Sequence, residues 1–321
     1  MKNFILLGAA GYISPRHMQA ISKTRNNLIA AYDPYDGAGI LDSYFPNADY
    51  FTEFERFDRH VSKLKYNNVR VDYTSICSPN YLHDSHIRFG LRSESDIICE
   101  KPLVLNPWNV ESLIKAENDY GKSIFTILQL RHHPTIKKLK EQIENDKNDK
   151  IYDIDLTYIT SRGKWYYTSW KSDLEKSGGI ATNIGIHFFD MLTWIFGNVE
   201  NQKVHLHTHD RASGLIRLKK ANVRWFLSIN EDTLPKSIKD KGKRVFRSIR
   251  INDDELEFSD GFTELHNISY KSILEGKGFR VKDSLSSINI VHDIRNSTIS
   301  KIESDYHPMV KLKLSKHPFE S

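Results

Sequence analysis

The 321-residue sequence has little cysteine, no long apolar run and no strong excess of either charge. Its two cysteines, Cys77 and Cys99, form no CxxC pair and have no histidine cluster of zinc spacing beside them, so we expect reduced thiols. No apolar run approaches the roughly 18 residues that a bilayer-spanning helix needs, and the first residues lack the apolar core of a signal peptide. We therefore expect a cytoplasmic protein with no membrane partner.

The charge balance is only slightly basic, with 46 Lys and Arg against 41 Asp and Glu and a net charge of +5. This excess permits an anionic ligand without requiring nucleic acid, and we expect no nucleic-acid partner. The hydrophobic fraction of 39%, including 11% aromatic residues, is enough to fill a core. Because single cores stop growing at about 250 to 300 residues, the length predicts two domains.

In the first part of the chain, short apolar runs alternate with amphipathic helical segments, which is typical of βαβ units around a parallel sheet. The predicted strands there are 4–7, 28–32, 73–77, 96–99 and 124–128, and the predicted helices include 15–23, 83–93 and 109–120. Longer strand-like runs at 151–160, 204–209, 215–218 and 222–230 favour an antiparallel sheet. We expect an α/β protein, with a doubly wound parallel sheet of the Rossmann type at 1–125. An α+β domain with a large, mainly antiparallel, open-faced sheet should follow at 126–321.

The first predicted strand runs into Gly8-Ala9-Ala10-Gly11-Tyr12-Ile13 and then into a helix. At such a junction, glycine backbone and a helix N-terminus can receive the pyrophosphate of a dinucleotide. The letters depart from GxGxxG at Ala10 and Ile13, so a plain strand-to-helix turn is the alternative. Asp33 ends the next strand, where its carboxylate can accept hydrogen bonds from both ribose hydroxyls, which favours NAD over NADP.

Polar residues follow two further strands of the predicted sheet. Ser78, Asn80 and His83 come after one strand, and Glu100 and Lys101 come after the other. Because the carboxyl ends of parallel strands share one edge, these residues should gather where a doubly wound sheet binds its ligand. Solvated turns are the alternative.

The segment 177–197 opens with Gly178 and Gly179, whose backbone can approach a ligand. Asn183 and His187 follow, four residues apart and therefore on one helical face. A core histidine is the alternative to a catalytic one.

Upstream of this segment, Arg162 and Tyr166 lie in RGKWYY, where cations and aromatic rings suit a phosphate and a sugar or base. His205, His207 and His209 alternate along a predicted strand and could share a face. They lack cysteine and carboxylate partners, and we assign no metal to the chain.

Taken together, the glycine loop, Ser78-Pro79-Asn80-x-x-His83, Glu100-Lys101-Pro102 and the Gly-Gly helix resemble the Gfo/Idh/MocA oxidoreductases. GAAGYISPRHM, SICSPNYLHDSHI, CEKPLVLNPWN, SGGIATNIGIHFFDML and GFTELHNISY further resemble the WlbA/WbpB type of that family. The resemblance implies oxidation of the C3 hydroxyl of UDP-N-acetyl-α-D-glucosaminuronate, a UDP-sugar acid, with hydride passed to NAD, in the synthesis of surface polysaccharide. It also implies a homotetramer and, in several relatives, reoxidation of bound NADH by 2-oxoglutarate.

The same resemblance assigns roles to residues. Catalysis falls to Lys101 and His187. The NAD contacts it implies are Gly8, Gly11, Tyr12, Ile13, Asp33, Ser78, Asn80, His83, Glu100 and Lys101, and the substrate contacts are Lys101, Arg162, Tyr166, Asn183 and His187. A neutral imidazole can remove the hydroxyl proton near neutral pH, whereas a lysine must first be desolvated. We favour His187 as the base and Lys101 as its electrostatic partner, with the reverse assignment open.

Other functions stay open on the sequence alone. Within enzymes, the alternative is an NAD-dependent dehydrogenase of another sugar or of a cyclitol. A non-catalytic NAD-binding regulator is the alternative from another class, and it would have no need of both Lys101 and His187. The two isolated cysteines count against a zinc-dependent alcohol dehydrogenase.

Overall fold

The computed structural model describes residues 1–148, 150–252, 254–256, 262, 264–303 and 305–319. Two compact units are present, one of Met1–His132 with Thr263–Leu285 and one of His133–Phe262 with Ser286–Ser321. Gly261 and Thr263, from the string GFTELHNISY, lie outside the described residues. Within the described ranges, no helix combines the length and the apolar character that crossing a bilayer demands.

The strands and helices follow one another along the chain with short connections. The strands are β1 (Asn3–Leu7), β2 (Asn27–Tyr32), β3 (Asp49–Phe51), β4 (Tyr73–Ile76), β5 (Asp96–Cys99), β6 (Ile124–Thr126), β7 (Tyr152–Thr160), β8 (Val199–His207), β9 (Arg211–Leu218), β10 (Ala221–Ser228), β11 (Val245–Ile251) and β12 (Asp254–Glu255). The helices are α1 (Ser14–Lys23), α2 (Ala38–Asp42), α3 (Phe54–Tyr66), α4 (His83–Arg92), α5 (Pro107–Tyr120), α6 (Pro134–Asn145), α7 (Trp165–Thr168), α8 (Leu174–Ser177), α9 (Ile186–Phe196), α10 (Lys236–Lys239), α11 (Leu265–Leu274) and α12 (Leu285–Asn296). A π-helical turn, Ala181–Gly185, precedes α9.

The first unit is built on six parallel strands in the order β3-β2-β1-β4-β5-β6, which confirms the doubly wound sheet. Strand β1 is buried from Phe4 to Leu7, as expected for a parallel strand covered on both faces. Helix α5 begins with a proline and ends at Gly121, whose φ of +60° suits a residue without a side chain. These local signals explain why the predicted alternation of strand and helix is observed.

Strand β3 and helix α3 of the first unit were absent from the sequence-based prediction. Strand β3 has only three residues, none of them fully buried, so it carries no apolar run. Helix α3 follows it and buries Phe57 and Val61. Pairing of β3 with β2 places this short strand at the edge of the sheet, where backbone hydrogen bonds rather than apolar side chains define it.

A second difference concerns the domain limits of 1–125 and 126–321. The first unit continues to His132 and also contains Thr263–Leu285, which we had expected in the second domain. Helix α11 packs on α1, and its Tyr270 ring stacks on Phe4 with the ring centres 6.1 Å apart. The apolar face of α11 is therefore buried by the first unit, which explains why the chain returns to it.

The second unit contains a sheet of order β12-β11-β7-β10-β9-β8, in which the central β7 and β10 pair in parallel and the other four neighbouring pairs of described strands are antiparallel. This confirms a mainly antiparallel sheet. Helix α9 covers one face, with Phe189 packed edge-on against Trp225. On the opposite face, the C-terminal segment (305–319) crosses the sheet, and the ring of His307 stacks on Phe226 with the ring centres 5.6 Å apart.

The C-terminal segment is also held by a buried ion pair. Arg211, about 1% exposed, contacts Asp210 at 2.9 Å and donates to the carbonyl of Lys313 at 3.0 Å. Burial alone would raise the pKa of Asp210, but hydrogen bonds from Arg211, Asn230 and Thr208 outweigh it and lower the pKa to about 2. The pair is therefore charged at neutral pH and fastens the segment to β9.

Candidate active site

The loop between β1 and α1 has the backbone geometry that the glycine positions predicted. Gly8 has a φ of +91°, and a Cβ atom there would lie 2.5 Å from the backbone nitrogen of Ser78. Gly11 donates from its N–H to the Gly8 carbonyl at 3.1 Å, and α1 starts at Ser14. The turn is therefore tight, and only glycine fits at position 8, where the loop packs against the backbone of Cys77 and Ser78 just before a helix N-terminus. Tyr12 is exposed and Ile13 packs on the core of the unit.

Asp33 follows β2 and closes the same loop from the other side. Its carboxylate accepts hydrogen bonds from the N–H groups of Ala10 and Tyr35, each at 3.0 Å. The side chain is only about 6% exposed. An acidic group is thus fixed next to the glycine loop, at the place where the ribose of a dinucleotide would need an acceptor.

The residues after β4 lie at the same edge of the sheet, but they are engaged with each other. Ser78 Oγ is 2.9 Å from His86 Nδ1, and burial lowers the pKa of His86 to about 4. His83, fully buried, has its two ring nitrogens 2.8 Å from the Ser78 carbonyl and 2.7 Å from the Pro102 carbonyl. His83 therefore holds together the segments after β4 and β5, and Asn80 is buried in the short 3-10 turn between Ser78 and His83.

Glu100, directly after β5, is the centre of a buried polar network. Its Oε1 atom accepts hydrogen bonds from His266 Nε2 at 2.7 Å and His17 Nε2 at 3.1 Å. Its Oε2 atom accepts from the backbone N–H of Lys101 at 3.2 Å. Burial alone would raise the pKa of Glu100, but these two histidines hold it well below its usual range. Glu100 is therefore a buried carboxylate that fixes the backbone at Lys101.

The network continues away from Glu100 through His17. Because Nε2 of His17 donates to the carboxylate, its Nδ1 accepts from the hydroxyl of Tyr270 at 2.7 Å. Ser75 Oγ lies 2.8 Å from the same hydroxyl. Burial lowers the pKa of His17, which agrees with a neutral ring in this arrangement. Four separate elements, β4, α1, α11 and the end of β5, are thus linked by hydrogen bonds in the core of the unit.

Three atoms of this network also have the chemistry of metal ligands. The donor atoms of His17, Glu100 and His266 lie within 4.8 Å of one another. Donation of two imidazole N–H groups to one carboxylate accounts for their approach, and we propose no metal there. The sequence analysis missed His17, His266 and Tyr270. The strings GAAGYISPRHM and GFTELHNISY contain all three residues without giving them a role, and the four-residue spacing of His266 and Tyr270 places both on one face of a helix.

In the second unit, the Gly-Gly segment forms a bend before α9. Gly178 and Gly179 have φ values of +78° and +81°, and a Cβ on Gly178 would lie 2.6 Å from the Thr182 hydroxyl. Asn183 lies in the π-helical turn that follows. Such turns widen a helix locally and often occur at functional sites. His187 stands in the first turn of α9, half-buried and edge-on to Phe188.

The loop after β7 meets this bend through Tyr166. The Asn183 side-chain amide donates to the Tyr166 hydroxyl at 3.3 Å and to the Lys171 carbonyl at 3.1 Å. Burial raises the pKa of Tyr166, which is only about 2% exposed. Arg162 lies at the start of the same loop, with its guanidinium 6.0 Å from the centre of the Trp165 ring. The structure thus brings Arg162, Tyr166 and Asn183 together within one unit.

His205, His207 and His209 do not form one regular row along a strand. The pairing of β8 with β9 shifts in register between Val204 and Leu206, so His205 lies at an irregularity. His209 lies beyond the end of β8 and packs against the ring of His317 at 5.0 Å. Burial lowers the pKa of both His205 and His207.

Comparison with known proteins identifies the two halves of the chain separately. Residues 2–127 match the family model described as "Oxidoreductase family, NAD-binding Rossmann fold". Residues 140–245 match the model "Oxidoreductase family, C-terminal alpha/beta domain" of the same family. Among curated relatives, the D-glucoside 3-dehydrogenase of Escherichia coli is 24% identical over 143 residues, 44% of this chain and 41% of that protein. The matched part of the chain spans about half or less of the length of such relatives.

Two solved structures of one dehydrogenase are among those that match almost the full chain. The WlbA (WbpB) dehydrogenase of Thermus thermophilus in complex with NAD and alpha-ketoglutarate is 44% identical, with a TM-score of 0.93 over 96% of this chain and 99% of that one. The same dehydrogenase in complex with NAD and UDP-GlcNAcA is 43% identical, with a TM-score of 0.92 and the same coverage. The chain therefore belongs to the Gfo/Idh/MocA oxidoreductase family.

Proposed function

We propose that the chain oxidises the C3 hydroxyl of UDP-N-acetyl-α-D-glucosaminuronate (UDP-GlcNAcA) to a ketone, with NAD as the hydride acceptor. The observation that carries this proposal is the near full-length match, at 43% identity, to a dehydrogenase solved with NAD and UDP-GlcNAcA. The 3-keto sugar would then be used to make a diaminouronic acid of surface polysaccharide.

The geometry of the first unit supports NAD as the cofactor. A Cβ on Gly8 would overlap the backbone of Cys77 and Ser78, so glycine keeps the loop tight just before the start of α1, and the Asp33 carboxylate stands at the same loop. These residues fit a pyrophosphate and an adenosine ribose respectively. Gly11, Ser78, Asn80 and Glu100 would complete the cofactor site, and bound NAD supplies a hydride acceptor.

In the proposed reaction, two residues act on the sugar hydroxyl. His187, which we propose as the base, would accept the hydroxyl proton as the C3–H bond breaks. Lys101, as an ammonium, would stabilise the negative charge that builds on the oxygen. The Glu100 carboxylate fixes the backbone at Lys101, and Asn183 and Tyr166 would bind the sugar. His83 would act by holding the segments beside the cofactor rather than by touching it.

The fate of the hydride is a separate part of the proposal. The Thermus dehydrogenase was solved with NAD and alpha-ketoglutarate. We propose that 2-oxoglutarate reoxidises bound NADH in this chain too. We also propose that the chain works in the cytoplasm as a homotetramer.

The test is to mix the purified chain with NAD and UDP-GlcNAcA and to follow NADH absorbance. We expect NADH in an amount at least equal to the enzyme, and turnover when 2-oxoglutarate is added. UDP-GlcNAc and myo-inositol serve as comparison substrates. Equal or faster oxidation of myo-inositol would favour a cyclitol dehydrogenase. NAD binding with no NADH from any substrate would favour a non-catalytic regulator.

A further inference from the structure

Lys171 is a half-buried cation that approaches two tryptophan rings. Its Nζ atom lies 4.6 Å from the centre of the Trp170 ring and 5.7 Å from the centre of the Trp165 ring. Arg162 approaches the same Trp165 ring, so the two cations share one aromatic side chain. Trp165 is about 50% exposed, which leaves part of this cluster accessible to a ligand.

Within the described part of the chain, neither cation forms an ion pair with a carboxylate. Burial lowers the pKa of Lys171, and the charge of Arg162 lowers it further, with no acidic group opposing them. Lys140 provides a contrast, because its Nζ lies 4.8 Å from the Trp194 ring but also contacts Glu144 at 2.7 Å. Two neighbouring cations without a counter-charge repel each other, so this arrangement costs stability until an anion binds.

The position of Lys171 links the pair to the proposed substrate residues. Its backbone carbonyl accepts the hydrogen bond from Asn183, whose amide also contacts the Tyr166 hydroxyl. Resting on the proposed function, we propose that Lys171 and Arg162 form an anion-binding pair for the UDP-sugar acid. The pair receives anionic oxygens of the substrate, which belong either to the uronate carboxylate or to the diphosphate. Lys171, which lies outside the motifs of the family resemblance, is thereby a determinant of specificity.

The test compares Lys171→Met and Arg162→Met with Lys311→Met as a matched control. Lys311 also stacks on an aromatic ring, with Nζ 4.6 Å from the Tyr306 ring centre, but lies in the C-terminal segment. Calorimetric binding is measured for UDP, glucuronate, UDP-GlcNAc and UDP-GlcNAcA. We expect Lys171→Met to weaken the binding of UDP-GlcNAcA at least about tenfold, because one charge-assisted hydrogen bond is lost. The control, Lys311→Met, should bind UDP-GlcNAcA as the wild type does.

The melting temperature without ligand separates anion binding from a purely structural role for Lys171, which would make the substitution lower it. Without ligand, Lys171→Met should melt at the wild-type temperature or above, because the substitution removes a like-charge repulsion. A fall in melting temperature together with unchanged binding would overturn the proposal.

The four probes separate the two sources of anionic oxygen. If the pair binds the uronate carboxylate, the substitutions weaken the binding of glucuronate and UDP-GlcNAcA but not that of UDP or UDP-GlcNAc. If the pair binds the diphosphate instead, the substitutions weaken the binding of UDP and of both UDP-sugars equally. If the wild type binds neither UDP-sugar, the proposed function fails. In that case the proposed anion-binding pair is supported only if Lys171→Met weakens the binding of UDP or glucuronate, and it is refuted otherwise.

Discussion

The Nε2 atom of His266 lies 2.7 Å from Oε1 of Glu100, although 166 positions separate the two residues in the chain. This hydrogen bond joins α11 to the residue directly before Lys101. Because the other carboxylate oxygen accepts from the Lys101 N–H at 3.2 Å, α11 contributes to fixing the backbone that carries the proposed catalytic lysine.

Replacing Glu100 by Gln tests how much this network stabilises the protein. A glutamine oxygen is a weaker acceptor for two N–H donors than a carboxylate, and the amide nitrogen cannot accept the Lys101 N–H. We expect Glu100→Gln to lower the free energy of unfolding by about 2 to 3 kcal/mol at pH 7, measured by urea titration. Glu94→Gln, on an exposed carboxylate paired with Lys65, is the control. Equal urea midpoints for the two variants would show that the network does not stabilise the fold.

Gly8→Ala tests the glycine loop. The added Cβ would lie 2.5 Å from the Ser78 backbone nitrogen in a residue with a φ of +91°. We expect NAD to bind at least about tenfold more weakly and the free energy of unfolding to fall by about 1 to 2 kcal/mol or more. Gly39→Ala is the matched control, because nothing lies within 4 Å of its added Cβ and it sits in α2. NAD affinity in Gly8→Ala equal to that in Gly39→Ala would rule out this loop as the pyrophosphate site.

Lys101→Ala and His187→Asn test the proposed division of catalytic roles. Both should reduce kcat by about 10²-fold to 10⁴-fold and leave NAD affinity within about twofold, as measured by fluorescence titration. A base must be deprotonated to act, so wild-type activity should fall on the acid side of the pH profile. We expect His187→Asn to remove this fall and Lys101→Ala to retain it. The reverse pattern would make Lys101 the base.

The pH dependence of stability should reflect His307. Burial lowers the pKa of this histidine from 6.5 to about 4, and its Nε2 lies 2.9 Å from the Thr157 hydroxyl. As pH falls below 6.5 the unfolded chain takes up this proton before the folded one, so stability falls, by about 3 kcal/mol once pH 4 is reached.

His307→Gln should therefore make the urea midpoint depend less steeply on pH between 6.5 and 4, while the part that comes from His86, whose pKa burial also lowers to about 4, remains. Tyr306→Phe, at the neighbouring position, changes no group that titrates in this range and should keep the wild-type slope. Identical slopes for the two variants would contradict the assignment to His307.

The parallel sheet could be predicted from the sequence because its strands are local apolar runs. The resemblance to the oxidoreductase family, confirmed by comparison, also rested on short local strings. Strand β3 could not be found in this way, because its three residues bury no side chain completely. The same limit applies to the parallel pairing of β7 with β10, since the order of strands is set by packing and not by spacing along the chain.

The same difference between local patterns and long-range packing applies to the residues of the candidate site. Gly8, Gly11 and the Gly178-Gly179 bend are visible in the sequence, because each meets a local backbone requirement. The contact of His266 with Glu100 depends on a chain return that no local pattern specifies. The string GFTELHNISY helped to recognise the family, yet its histidine and tyrosine showed no role until α11 was placed against α1.

The return of Thr263–Leu285 to the first unit has a consequence for synthesis on the ribosome. The first unit cannot acquire Tyr270 and His266 until the ribosome has translated the whole intervening stretch 133–262. Up to that point the nascent unit exposes the side of α1 that α11 later covers, and the Glu100 carboxylate lacks its hydrogen bond from His266. A nascent chain arrested before residue 263 should therefore be a preferred client of chaperones that bind exposed apolar surface.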